Sequence, residues 1–173
     1  MTTHIEEKKH HVNQTTSTLI DSIARVDLRV QDVDAALGFY GDVVGLEVTD
    51  KGADHASLSA PGGPVVLGLS SAGVDAPALR ESTGLYHTAI RFPDRTALAN
   101  ALARLAESGY RIGASDHGVS EALYIDDPDG NGVELYRDRP PGEWPRTAAG
   151  GLAMYTRRLD LDDLLREADS EPT

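Results

Sequence analysis

A chain of 173 residues with 40% hydrophobic content is long enough to bury one compact core, either as a single domain or as two small modules sharing a sheet. Its formal net charge of −12 excludes a non-specific nucleic-acid binder, and the absence of cysteine excludes thiol catalysis, disulfides and cysteine-based zinc sites. No run approaches the roughly 18 apolar residues of a membrane span, and the polar opening MTTHIEEKKHHVNQTTST has no signal-peptide core, so a cytoplasmic protein without membrane partners is expected.

Residues 1–18 are polar and unpatterned, which predicts a flexible arm whose His4, His10 and His11 are solvated rather than ligands. The main domain is expected over 19–145, with one module over about 23–70 and a second over about 84–137. Val26, Leu28 and Val30 alternate with Arg25, Asp27 and Arg29, the period of a half-buried strand. Asp32 is an N-cap for DVDAALGFYGDVVG, where Val33, Ala36, Leu37 and Tyr40 share a helical face and Gly45 ends the segment. Strands are predicted over Leu46–Asp50, His55–Ser59 and Val65–Leu69.

The same order then repeats. His87–Phe92 is a predicted strand, and Asp94 caps a helix over RTALANALARLAESG with Leu98, Leu102 and Leu105 as its buried stripe. Strands over Tyr110–Ala114, Ala122–Asp126 and Gly132–Tyr136 come next, the last behind the turn Pro128-Asp129-Gly130-Asn131. Each half reads β-α-β-β-β, and one unit used twice must have one architecture. Over 146–173 a C-terminal arm with a short helix at DLDDLLRE is expected, lying on the domain's own edge or against a second copy in a homodimer.

The pleat sorts the candidate side chains. With Thr88, Ile90, Leu123, Ile125, Val133 and Leu135 on the helix-facing side, His87, Tyr124 and Glu134 share the other face, which lines a cavity if the sheet curls. An imidazole and a carboxylate on neighbouring strands form a recurring ligand pair for Fe(II), Mn(II) or Zn(II). The structural alternatives are a half-buried strand histidine and a carboxylate in a surface ion pair.

The double β-α-β-β-β layout, the LRV-x-D…FY…GL string over Leu28–Leu46, the His-x-x-Ile start of the second half and ALYIDDPDGNGVELYRDRP together resemble the vicinal oxygen chelate superfamily. That superfamily includes glyoxalase I, bleomycin-resistance proteins and extradiol dioxygenases. The resemblance covers roughly Ile23 to Pro145 and implies an α+β fold in which two βαβββ modules form an eight-stranded incomplete barrel around a cavity with a divalent metal. On that pattern His87 and Glu134 fall in the metal slots of the second module. The second half is most similar to the catechol 2,3-dioxygenase branch, which implies an acid–base or oxygen-binding role for His117 and a substrate-orienting role for Tyr124.

The first module departs from the pattern. Internal alignment puts Arg25 opposite His87, and aligning PGGPVVLGL with PDGNGVELY puts Leu67 opposite Glu134. A guanidinium stays protonated and has no lone pair, so Arg25 is no metal ligand. Asp27 lies on the same face but about 6.5–7 Å further along the strand. Three readings are open: Fe(II) or Mn(II) held by His87 and Glu134 with waters or a diol; a metal-free binding protein or metal-free enzyme in which Arg25 pairs with Glu134 across the cavity; and a zinc or nickel isomerase, the weakest because it needs both first-module slots. The expectation is an extradiol-dioxygenase-like protein acting on a small aromatic or vicinally oxygenated metabolite, with His117 and Tyr124 catalytic, His87 and Glu134 on the metal, and Arg25 and Asp27 facing the substrate.

Overall fold

The computed structural model describes residues 23–73 and 85–169; the N-terminal arm with His4, His10 and His11 lies outside the described residues. The first module is β1 (Val26–Val30), α1 (Val33–Leu37), β2 (Glu47–Lys51), β3 (His55–Ser59) and β4 (Val65–Ser71). The second is β5 (Thr88–Arg91), α2 (Arg95–Ser108), β6 (Gly113–Asp116), β7 (Ser120–Asp126) and β8 (Gly132–Asp138). Two sheets result, ordered β1-β4-β3-β2 and β5-β8-β7-β6, and in each the first strand runs parallel to the last while the other pairs are antiparallel. This is the α+β arrangement of paired βαβββ modules, an incomplete barrel rather than a closed one.

Local chemistry starts both helices. Asp32 Oδ1 accepts from the Asp34 and Ala35 amides at 2.8 and 3.0 Å, and Asp94 accepts from Ala97 N at 2.8 Å. Leu98, Leu102 and Leu105 of α2 are fully buried, and Gly109 closes it with φ +73°. The first helix is not continuous to Gly45. After Leu37 it widens into a π-type segment over Gly38–Val43, which turns the adjacent Phe39 and Tyr40 both inward, edge to face with centroids 4.9 Å apart.

The strand expected over Tyr110–Ala114 forms instead over Gly113–Asp116. Tyr110 leaves the ladder because its ring packs on Phe39 of the other module at 5.1 Å. The last strand, expected to end at Tyr136, runs on to Asp138. The Arg137 guanidinium is drawn inward to Glu121 at 2.7 Å, which keeps β8 paired to Asp138. Beyond it the chain returns as β9 (Arg157–Arg158), which adds to the edge of β6, and as α3 (Leu161–Leu165), whose Leu164 is buried. Arg95 ties this end to the domain by bonding Glu121, Asp163 and Glu167.

Among the described residues the modules share one core, and Tyr40, Gln31 and Arg104 make polar contacts between them. Tyr40 donates to Asp127 at 2.9 Å, Gln31 N donates to the Asp129 carboxylate at 3.1 Å, and Arg104 donates to the Val43 and Val44 carbonyls at 3.0 Å each. The turn carried by DPDGN is thus seated on the first module.

Candidate functional site

The second sheet brings four predicted residues together. Register pairs Ala89 with Glu134 and Tyr124 with Glu134, so His87, just ahead of β5, lies one step from the carboxylate on the same face. His117 sits in the β6–β7 turn, which is fixed by His117 N donating to Ser120 O at 2.9 Å and Gly118 N donating to Asp116 Oδ1 at 2.8 Å. Gly118 has φ +76°, and a Cβ there would lie 2.8 Å from both Pro145 and Tyr155.

The four side chains form one contiguous polar chain, hydrogen-bonded from His117 to Glu134, with His87 at ion-pair distance from the carboxylate. His87 Nε2 lies 3.0 Å from Glu134 Oε2, the Tyr124 hydroxyl donates to Glu134 Oε1 at 2.9 Å, and His117 Nε2 lies 3.0 Å from the Tyr124 oxygen. Burial, then the bond to Glu134 and its charge, push the Tyr124 phenol up to about 12, so it is a neutral donor near pH 7. His87 and Tyr124 line a cleft of about 560 Å³ together with Tyr86, Arg111, Ile112 and Gly132. At Gly132 a Cβ would lie 2.6 Å from the Tyr86 carbonyl oxygen, so this close approach of β8 to the start of β5 requires glycine.

Arg25 and Asp27 do not join this group. Arg25 Nε donates to Asp27 Oδ1 at 2.8 Å, and Glu134 faces His87 and Tyr124, so the pairing of Arg25 with Glu134 on which the metal-free reading rests is not formed. The alignment of Leu67 with Glu134 is also corrected. Val26 pairs with Leu67 and Thr88 with Val133, so Gly68 occupies the place of Glu134. Leu67 and Val133 are both buried on the helix side, and a one-residue shift exchanges the two faces. Gly68 has no side chain, and a Cβ there would overlap both Arg25 and Asp27.

His87 and Glu134 alone leave a metal triad one protein donor short. Among the described residues no group of three His, Cys, Asp or Glu side chains is placed to hold one. His87 and Glu134 are two such donors, while the corresponding first-module positions are a guanidinium and a glycine. Thr156, absent from the candidates that the sequence suggests, lies with Oγ1 3.2 Å from His117 Nδ1. It is 39 residues away in the chain, and no spacing rule links the two.

The model for the Glyoxalase/Bleomycin resistance protein/Dioxygenase superfamily matches residues 22–135, and this chain belongs to that superfamily. Catechol-2,3-dioxygenase of Bacillus subtilis (strain 168) is 46% identical over 151 residues, which are 86% of this chain and 53% of that protein. The chain therefore spans about half the length of this curated relative. Among solved structures, a glyoxalase/dioxygenase from Nostoc punctiforme superposes with a TM-score of 0.56 at 21% identity, covering 79% of this chain and 100% of the other. A lactoylglutathione lyase from Agrobacterium tumefaciens gives 0.53 at 25% identity, covering 68% and 94%. No helix among the described residues is long and apolar enough to cross a membrane.

Proposed function

We propose that this chain is an extradiol-dioxygenase-like domain whose second module binds a small aromatic molecule carrying vicinal oxygens, with catechol as the simplest of the class. The observation that carries the reading is the chain His117, Tyr124, Glu134, His87 running beside the cleft, in a sequence 46% identical to a catechol dioxygenase. An ionised Glu134 is acceptor-only, so an entering hydroxyl donates to it in place of His87 or Tyr124. Tyr124 stays protonated and orients the neighbouring substrate oxygen. In its imidazolium form His117 gives its Nε2 proton to the Tyr124 oxygen as Tyr124 passes its own to a substrate oxygen, which leaves a neutral imidazole and is the acid–base role. The role is binding and proton transfer rather than ring cleavage, because His87 and Glu134 are two donors where a metal triad needs three.

Calorimetric titration of the full chain with catechol, phenol and guaiacol tests this. Catechol should bind best, and Tyr124→Phe and Glu134→Gln should each weaken it about tenfold or more, the worth of one bond to a charged group. A folded protein with no preference for catechol would refute the reading. The same protein is then loaded anaerobically with Fe(II) and exposed to oxygen. Stoichiometric iron lost in His87→Ala and Glu134→Gln, with a ring-opened product, would replace the binding reading by the dioxygenase one.

A further inference from the structure

We propose that Thr156, on the C-terminal arm beyond the family-matched segment, is a positioning residue that sets the tautomer and orientation of His117. The inference deepens the reading above by naming what holds its acid–base group.

Proton accounting along the chain leads to Thr156. Tyr124 has one hydroxyl proton, and it goes to Glu134 Oε1 at 2.9 Å. Its oxygen must therefore accept from His117, which places the imidazole proton on Nε2. A neutral imidazole carries one N–H, so Nδ1 is an acceptor, and the group facing it at 3.2 Å is the Thr156 hydroxyl. Asp116, the carboxylate next to His117 in the chain, does not compete, because it is turned to Gly118 N and Arg139. The donor order is then Thr156, His117, Tyr124, Glu134.

The arm is built to keep Thr156 there. On one side Tyr155 N donates to His117 O at 3.4 Å, and the Tyr155 ring fills the space above Gly118. On the other, Asp116 pairs with Arg157 and Ser115 with Arg158, and the Arg157 guanidinium lies 4.2 Å over the Tyr155 ring. Leu159 and Leu164 are buried and anchor the chain beyond β9. Thr156 itself is exposed, so its replacement leaves the core untouched.

Long-range proton–nitrogen correlation on the ¹⁵N-labelled full chain, with His117→Gln to assign the signals, tests this at about pH 8, above the ordinary histidine range. The ligand-free protein should show His117 protonated at Nε2. Thr156→Val, which keeps the shape and removes the hydroxyl, should shift the tautomer ratio about fivefold toward Nδ1–H, and Thr156→Ser should restore it. An unchanged ratio in Thr156→Val, or a wild-type His117 protonated at Nδ1, would overturn the proposal. The measurement needs no ligand, so a failure of catechol to bind would sink the functional reading without touching this one.

Discussion

Tyr40→Phe should loosen the joint between the two modules without altering the cleft. The Asp127 carboxylate, 4% exposed, accepts four hydrogen bonds: from Asp129 N at 3.0 Å and Asn131 N at 2.8 Å on Oδ1, and from Asn131 Nδ2 and the Tyr40 hydroxyl at 2.9 Å on Oδ2. Burial and the Asp127 charge push the Tyr40 phenol far above its ordinary value, so it remains a donor. A bond to a charged acceptor contributes about 1.5–3 kcal/mol, and Oδ2 keeps the Asn131 amide, so the lower end applies. With a urea slope of about 2 kcal/mol/M, the unfolding midpoint should fall by about 0.7 M at unchanged slope. Asp127→Ala strands Tyr40 and two turn amides and should cost about 3 kcal/mol or more. In that background Tyr40→Phe should cost nothing further, since its partner is gone. A wild-type midpoint for Tyr40→Phe, or effects that simply add, would refute the clamp.

Three further perturbations probe other parts of the molecule. Gly132→Ala drives a methyl into the Tyr86 carbonyl and should displace His87, lowering catechol affinity about tenfold or more in calorimetry; unchanged affinity would show that this approach does not set the site. Glu121→Ala leaves Arg137, with 10% of its side chain exposed, without its carboxylate, and should cost about 3–5 kcal/mol in urea unfolding. Tyr124 should resist ionisation until about pH 12 in an ultraviolet phenolate titration, and Tyr124→Phe should delete that component. The folded state holds this proton between the ordinary value of 10.0 and about 12, so stability from the group falls as pH rises through that window.

Much of the fold is readable from periodicity because each strand buries one face. The alternation of Val26, Leu28 and Val30, the caps Asp32 and Asp94, and the Leu98, Leu102, Leu105 stripe are local consequences of local chemistry. The shared face of His87, Tyr124 and Glu134 comes from the same pleat, applied three times. The features that escape such reading depend on distant partners. The π-type widening at Gly38 answers to two aromatic rings and a buried Asp127 in the other module, and Tyr110 leaves its strand to meet Phe39. Leu67 is misplaced when turn letters are aligned, whereas burial of Leu67 and Val133 decides the register. Thr156 meets His117 only because the chain returns as β9, and nothing in MYTRRLD announces an imidazole neighbour.

Arg25→His asks whether the two modules still share one cavity. The Arg25–Asp27 pair has side chains 43% and 67% exposed, so solvent screening leaves it little weight in stability, and the substitution should fold normally. It replaces a permanent cation by a group with a lone pair at the position that corresponds to His87. If the first-module position faces the same space as His87 and Glu134, a third donor becomes available, and Fe(II) affinity should rise about tenfold or more over wild type. His87→Ala or Glu134→Gln should then abolish the gain. Gly68 adds no fourth protein ligand, so water would complete the sphere and the affinity would stay below that of a closed site. No gain in a well-folded Arg25→His protein would mean that the slots no longer converge, and the proton chain of the second module would then act without its counterpart.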